Sequence, residues 1–170
     1  LPTEIVYANF ENKDKNGKPL LLEKDNKTGA ISTNPENHQL MVNNRQAKID
    51  NIAKVIPPLK VEGDVDDADF LIVGWGGTYG HLHEAMEKMR KEGKKVAHAH
   101  FTFISPLPIN TKEVLHKYKK VVVAEQNNGQ LAMYLKGKIA DFAPLQLNRV
   151  KGQPFNVGRL VEEFSKMMEA

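Results

Sequence analysis

Residues 69–80 read DFLIVGWGGTYG, an apolar run that ends in a glycine-rich turn, and few architectures accommodate that order. Four consecutive apolar residues, Phe70–Val73, mark a strand covered on both faces, as strands are in parallel sheets. A helix follows, predicted over Thr78–Glu92, with Leu82, Ala85, Met86 and Met89 on one face, Thr78 placed as its cap and Gly93 as its stop. The alternation then repeats. A second strand is expected over Lys95–Phe103, the rigid loop Ser105–Pro108 follows it, and Asn110 with Glu113 resembles a capping box opening a short helix that ends near Lys119. Val121–Val123 reads as another buried strand, Leu131–Ile139 as a helix, 145–150 as a strand and Val157 to about Met168 as the last helix. Strands alternating with helices predict an α/β fold: three layers, α/β/α, around a parallel-rich sheet.

The first sixty residues differ in kind. Asn9–Thr33 is dense in Asn, Lys, Asp and Gly around one apolar patch, Leu20–Leu22, and reads as an irregular arm. Asn34-Pro35 turns into a helix expected from Glu36 to Lys54, with only a weak apolar stripe, and Ile56–Leu59 forms a stiff linker. Glu62, Asp64, Asp66 and Asp67 make an acidic approach to the first strand. The expected division is therefore 1–60, an arm, helix and linker, and 61–170, an α/β domain. The chain begins at Leu1 without an initiator Met, so a piece of a larger polypeptide is expected.

Composition excludes several classes. The chain has no cysteine, and so no disulfide, thiolate zinc site or cysteine-ligated cluster, which fits a cytoplasmic location. Its net charge is +3, but the basic residues are interleaved with acids, as in Glu84, Glu87, Lys88, Arg90, Lys91 and Glu92. That is a solvated helix face, so no nucleic-acid partner is expected. No apolar run is long enough for a membrane span, and no signal peptide opens the chain.

Three groups of residues are candidate sites. Counted from Gly74, a dinucleotide fingerprint would place its third glycine at Tyr79, and no carboxylate occurs near residues 95–101 to hold a ribose. The amides of Gly76, Gly77, Thr78 and Tyr79 are left as weak candidates for a phosphate, carboxylate or CoA. The preferred reading is that the glycines allow a close backbone approach. His98 and His100 lie two apart on a strand and share a face, with Ala97, Ala99 and Phe101 on the other. No third metal ligand is evident, and His81 and His83 point about 200° apart on a helix, so interface histidines are expected rather than a metal site. Glu125, Asn127 and Gln130 form a polar group after a buried strand. They either orient a cofactor or partner loop, or satisfy backbone groups in a strand-to-helix turn. No catalytic residue set stands out.

GWGGTYG, VAHAHFTFISPLP, VVVAEQNNGQLA and RVKGQPF, in this order and spacing, resemble the C-terminal region of the alpha subunit of 2-oxoglutarate:ferredoxin oxidoreductase. NPENHQLM at Asn34–Met41, followed by Arg45, is similar to the segment before that domain. The resemblance covers about Leu22 to the C-terminus. Leu21–Lys24 stands where many members have Gly-x-Glu-His, and residues 9–21 match nothing in the family. The resemblance implies a transketolase C-terminal-like domain that serves assembly. It implies an intact enzyme using thiamine diphosphate with Mg, and CoA as co-substrate, to convert a 2-oxoacid to an acyl-CoA. It further implies a beta subunit that carries an iron–sulfur cluster, a second alpha subunit, and ferredoxin as acceptor. No cofactor is expected in this chain, and the residues alone leave open a stand-alone scaffold module or a small-anion binder.

Overall fold

The computed structural model describes residues 23–170; the part of the expected arm over residues 9–22 lies outside them. The chain divides between Ile52 and Ala53 into two compact units.

In the first unit, β1 (Glu23–Lys24) pairs antiparallel with β2 (Ile31–Ser32). Asp25 closes the hairpin, its carboxylate accepting from the amides of Lys27 (3.0 Å) and Thr28 (2.8 Å). Where an irregular arm was expected, this Asx turn makes an ordered hairpin from a polar sequence. Helix α1 (Pro35–Ile52) follows and buries none of its residues. Arg45 of α1 pairs with Glu23 at 2.8 Å, and the Asn37 side chain donates to the Lys24 carbonyl, which fixes hairpin to helix.

The second unit is a three-layer α/β/α sandwich, as expected. Its strands are β3 (Val61–Gly63), β4 (Phe70–Trp75), β5 (Val96–Phe101), β6 (Lys120–Glu125) and β7 (Leu145–Asn148). They lie in the order β3-β5-β4-β6-β7, all parallel except β3, which runs antiparallel to β5 at one edge. The sequence reading took β3 for an acidic approach segment. Three residues ending in glycine carry too little alternation to announce a strand, and short edge strands are a common way to end a sheet.

Helices α2 (Tyr79–Lys91) and α5 (Val157–Glu169) cover one face; α3 (Thr111–Lys117) and α4 (Gln130–Lys138) cover the other. Alternation within the buried strands assigns side chains to the two layers. Phe70, Ile72 and Val122 pack with Leu82, Met86, Leu160 and Phe164, while Leu71, Val73 and Val123 pack with Leu115, Leu131 and Leu135. Burying one such side chain contributes roughly 1.5–3 kcal/mol, which makes this double core the main source of stability.

Two expected caps do other work. The Asn110 side chain makes no cap bond; it accepts from the Leu59 amide (2.8 Å) and donates to the Leu59 carbonyl (3.0 Å), tying the proline-bearing linker to the head of α3. Thr78 likewise bonds backward, donating to the Trp75 carbonyl at 2.8 Å, and a single 3-10 turn over Gly76–Thr78 leads into α2. A cap signature read from sequence specifies a polar group near a helix start, and nearer backbone partners capture it here.

Close backbone approach holds at Gly74, where a Cβ would overlap the Leu82 side chain and lie 2.9 Å from the Thr78 hydroxyl. Gly77 and Gly80 have open space around them, so that explanation fails for them; Gly76 is required by its φ of +60°. Gly63, at the end of β3, has φ +88° and the Val96 carbonyl 2.5 Å from a built Cβ. Gly63→Ala is expected to destabilise the domain by about 2–4 kcal/mol through left-handed strain plus overlap with backbone, measured by urea unfolding. Beside it, Asp64 accepts from Arg90 Nε (3.0 Å) and Nη2 (3.2 Å) and from the Val96 amide (3.3 Å). The Arg90 guanidinium holds the Asp64 carboxyl below its ordinary value. A folded-state pKa below the unfolded one stabilises above the ordinary Asp range and is lost as pH falls through the folded value. Asp64→Asn should therefore lower stability at pH 7 and flatten the acid limb of the stability–pH curve below about pH 4.

Candidate functional site

The polar candidates gather at the carboxyl ends of β4, β5 and β6, where ligand and partner surfaces of parallel sheets form. Glu125 closes β6 and is fully buried. Its Oε1 accepts from the Leu131 amide (2.7 Å), the Trp75 indole (3.2 Å) and the Asn127 side chain (3.3 Å), and its Oε2 from the Ala132 amide (3.2 Å). The carboxylate thus occupies the positive end of α4, where a free anion would otherwise bind. Asn127 accepts from the amides of Gly129 (2.7 Å) and Gln130 (3.0 Å), while Gln130 is exposed on the first turn of α4. Glu125 and Asn127 thus satisfy backbone amides of the strand-to-helix turn.

At the other side of β4, the histidines form a second group. His98 and His100 share a face, as expected, with Ala97, Ala99 and Phe101 on the opposite one; the structure places the two histidines on the α2 side. Register pairs Glu62 of β3 with His98, and α2 places Tyr79 and His83, one turn apart, over the same patch. The His83 Nδ1 lies 3.0 Å from Glu62 Oε2, the His98 Nδ1 lies 3.9 Å from it, and the Tyr79 hydroxyl donates to the same carboxylate at 3.1 Å. Tyr79 also stacks on His83 with ring centroids 5.3 Å apart and meets His100 edge-on at 5.2 Å. Glu62, Tyr79, His98 and His100 line a cleft of about 430 Å³ together with Pro57, Pro58 and Phe103.

Burial, with the rings of His100 and His83 adding to it, lowers the His98 pKa to about 3, so its imidazole is neutral near pH 7. Neither of its ring nitrogens has a hydrogen-bond partner among the described residues. Burial also pulls the His100 pKa down, against the Gly76 carbonyl that its Nε2 faces at 3.1 Å. Burial, then the bond to Glu62, pushes the Tyr79 hydroxyl upward.

The anion candidates divide. Thr78 is buried and its hydroxyl is engaged by Trp75, while Gly76, Gly77 and Tyr79 are exposed. Sequence reasoning missed Glu62, which lies on the unrecognised edge strand, and the meeting of His83 with His98. The alternation of VAHAHF was the one available signal, and it located a single wall of the group.

Replacing the buried carboxylate tests its role. Glu125→Gln turns an amide toward the Leu131 and Ala132 N–H groups and should cost about 2–3 kcal/mol; Glu125→Ala, which orphans both, should cost about 3–5 kcal/mol, read by thermal or urea unfolding.

Residues 68–161 match the model of the pyruvate:ferredoxin oxidoreductase core domain II family. Over 144 residues the chain is 46% identical to the 2-oxoglutarate oxidoreductase subunit KorA of Mycobacterium tuberculosis, covering 82% of this chain and 21% of that protein. It is 29% identical to the alpha subunit of 2-oxoacid:ferredoxin oxidoreductase 1 of Aeropyrum pernix, covering 82% of this chain and 23% of that one. Among solved structures, 2-oxoglutarate:ferredoxin oxidoreductase from Magnetococcus marinus, with 2-oxoglutarate, coenzyme A and succinyl-CoA bound, superposes with a TM-score of 0.77 at 30% identity. That match covers 84% of this chain and 25% of the other. The chain therefore spans about a fifth to a quarter of the length of these relatives. With more than half of its residues matched to one family and the same fold, the chain belongs to the pyruvate:ferredoxin oxidoreductase core domain II family.

Proposed function

We propose that this chain is the assembly domain of the alpha subunit of a thiamine-diphosphate-dependent 2-oxoacid:ferredoxin oxidoreductase, with 2-oxoglutarate as its 2-oxoacid. The observation that carries this reading is the 46% identity to KorA along 82% of the chain. Two structural features support it. The buried carboxylate that sequence singled out is engaged inside the domain by four donors, an arrangement that positions a helix and not a substrate. Helix α1 has 18 residues and buries none of them, although helices of this length draw most of their stability from packing. Such a helix suits a chain that packs against more protein than it contains.

In this reading the oxidative decarboxylation of the 2-oxoacid to an acyl-CoA takes place elsewhere in the enzyme. Thiamine diphosphate and Mg are held by another alpha-subunit domain and the beta subunit. The chain has no cysteine to ligate iron, which agrees with an iron–sulfur cluster held by the beta subunit. The domain helps join the beta subunit and a second alpha subunit, in the cytoplasm. No helix among the described residues is long and apolar enough to cross a membrane.

The test is purification of the natural gene product that contains this chain. It should co-elute with a second, cysteine-bearing subunit and reduce a viologen acceptor with 2-oxoglutarate and CoA, faster than with pyruvate or a branched 2-oxoacid. A stable protein that recruits no second subunit and shows no 2-oxoacid-dependent reduction would overturn the proposal.

A further inference from the structure

The histidine group carries more than a place at an interface. Two imidazoles and a carboxylate from three separate elements, His83 on α2, His98 on β5 and Glu62 on β3, bring one ligand atom each to within 4.8 Å of one another. His98 is the fixed member. Its side chain is wholly buried at the floor of the group, its Nδ1 faces Glu62 at 3.9 Å, and no described residue hydrogen-bonds either ring nitrogen. A buried imidazole without a partner is uncommon and calls for one. The other two members are adjustable, since the side chains of His83 and Glu62 are 37% and 44% exposed. Tyr79 steadies them, its hydroxyl on the Glu62 carboxylate and its ring stacked on His83. A metal-bound carboxylate and imidazole are usually oriented by contacts of this kind.

We propose that Glu62, His83 and His98 form a binding site for a divalent transition-metal cation of the zinc class, pinning the edge strand β3 to α2 and β5. Two nitrogens and one oxygen suit Zn²⁺, Co²⁺ or Ni²⁺, whereas Mg²⁺ and Ca²⁺ prefer oxygen alone. Ligands at about 2.0–2.1 Å around a tetrahedral ion stand roughly 3.3 Å apart. The observed separations of 3.0 Å and 3.9 Å from Glu62 fall on either side of that value. The His83–His98 separation lies within 4.8 Å, so closing the site needs rotations of the two exposed side chains while His98 stays in place. On binding, His83 offers the Nδ1 lone pair and keeps its proton on Nε2. Glu62 and His98 also line the cleft that His100 borders, through which solvent could reach a bound ion. This inference goes beyond the assembly reading and does not depend on it; the two fail on different measurements.

The experiment uses the untagged, chelator-stripped intact protein, titrated with ZnCl₂ by calorimetry and with CoCl₂ by visible absorption. One zinc per chain should bind, with a raised melting temperature and a cobalt spectrum of low-symmetry nitrogen and oxygen ligation. His98→Asn is avoided because it alters a buried residue. Glu62→Gln and His83→Gln change exposed side chains, should fold as the parent does, and should each weaken zinc binding by about tenfold or more. His116→Gln, on α3, should bind zinc like the parent. The proposal is overturned by a parent protein that binds no zinc at about 100 µM, a concentration at which a useful site is filled. It is also overturned by Glu62→Gln and His83→Gln binding zinc as tightly as the parent, or by magnesium displacing zinc at equal concentration.

Discussion

The buried carboxylate of Glu125 is the interaction around which the carboxyl end of the sheet is built. An ionised side chain taken out of water is costly unless every oxygen finds a donor. Here the donors come from three places in the chain: the first turn of α4, the indole of Trp75 at the end of β4, and Asn127 in the intervening turn. One group therefore fixes the direction of α4, the orientation of Trp75 and the closure of the 126–129 loop. The left-handed Gly129, whose built Cβ would lie 2.5 Å from the Gln146 side chain, completes the turn because a larger residue would not fit.

The opposite edge follows a different logic. Strand β3 is short and antiparallel, with one acid, Glu62, inside it and Asp64 directly after it, and polar contacts hold it and its flanks. Asp64 grips Arg90 of α2, Glu62 meets Tyr79 and His83 of the same helix, and Leu59 just before the strand is held by Asn110. An edge with so little apolar area cannot be secured by burial alone. Oriented hydrogen bonds to a neighbouring helix and loop supply what packing does not. Tethering through the proposed cation would act on the same three elements.

The core was legible in the sequence because buried parallel strands and amphipathic helices leave patterns that do not depend on their partners. Phe70–Val73 and Val121–Val123 are apolar on both faces, and Leu82, Met86 and Met89 recur at helical spacing. The same local reasoning failed where a side chain chose between neighbours. Asn110 and Thr78 have the chemistry of caps but bond to Leu59 and Trp75. Strand β3 was invisible because its three residues are ordered by β5, thirty-odd positions away in sequence.

By itself, then, the sequence determined the layers, the alternation of helices with strands, the sharing of one face by His98 and His100, and the family motifs. Each of these rests on short-range periodicity or on residue order. Only the tertiary structure decided that Glu125 turns inward to α4, and that Glu62 and His83 converge on His98. The meeting at His98 depends on strand order and register, which bring together residues separated by 15 to 36 positions. No local pattern encodes such a distance; the packing of β3 and α2 against β5 does.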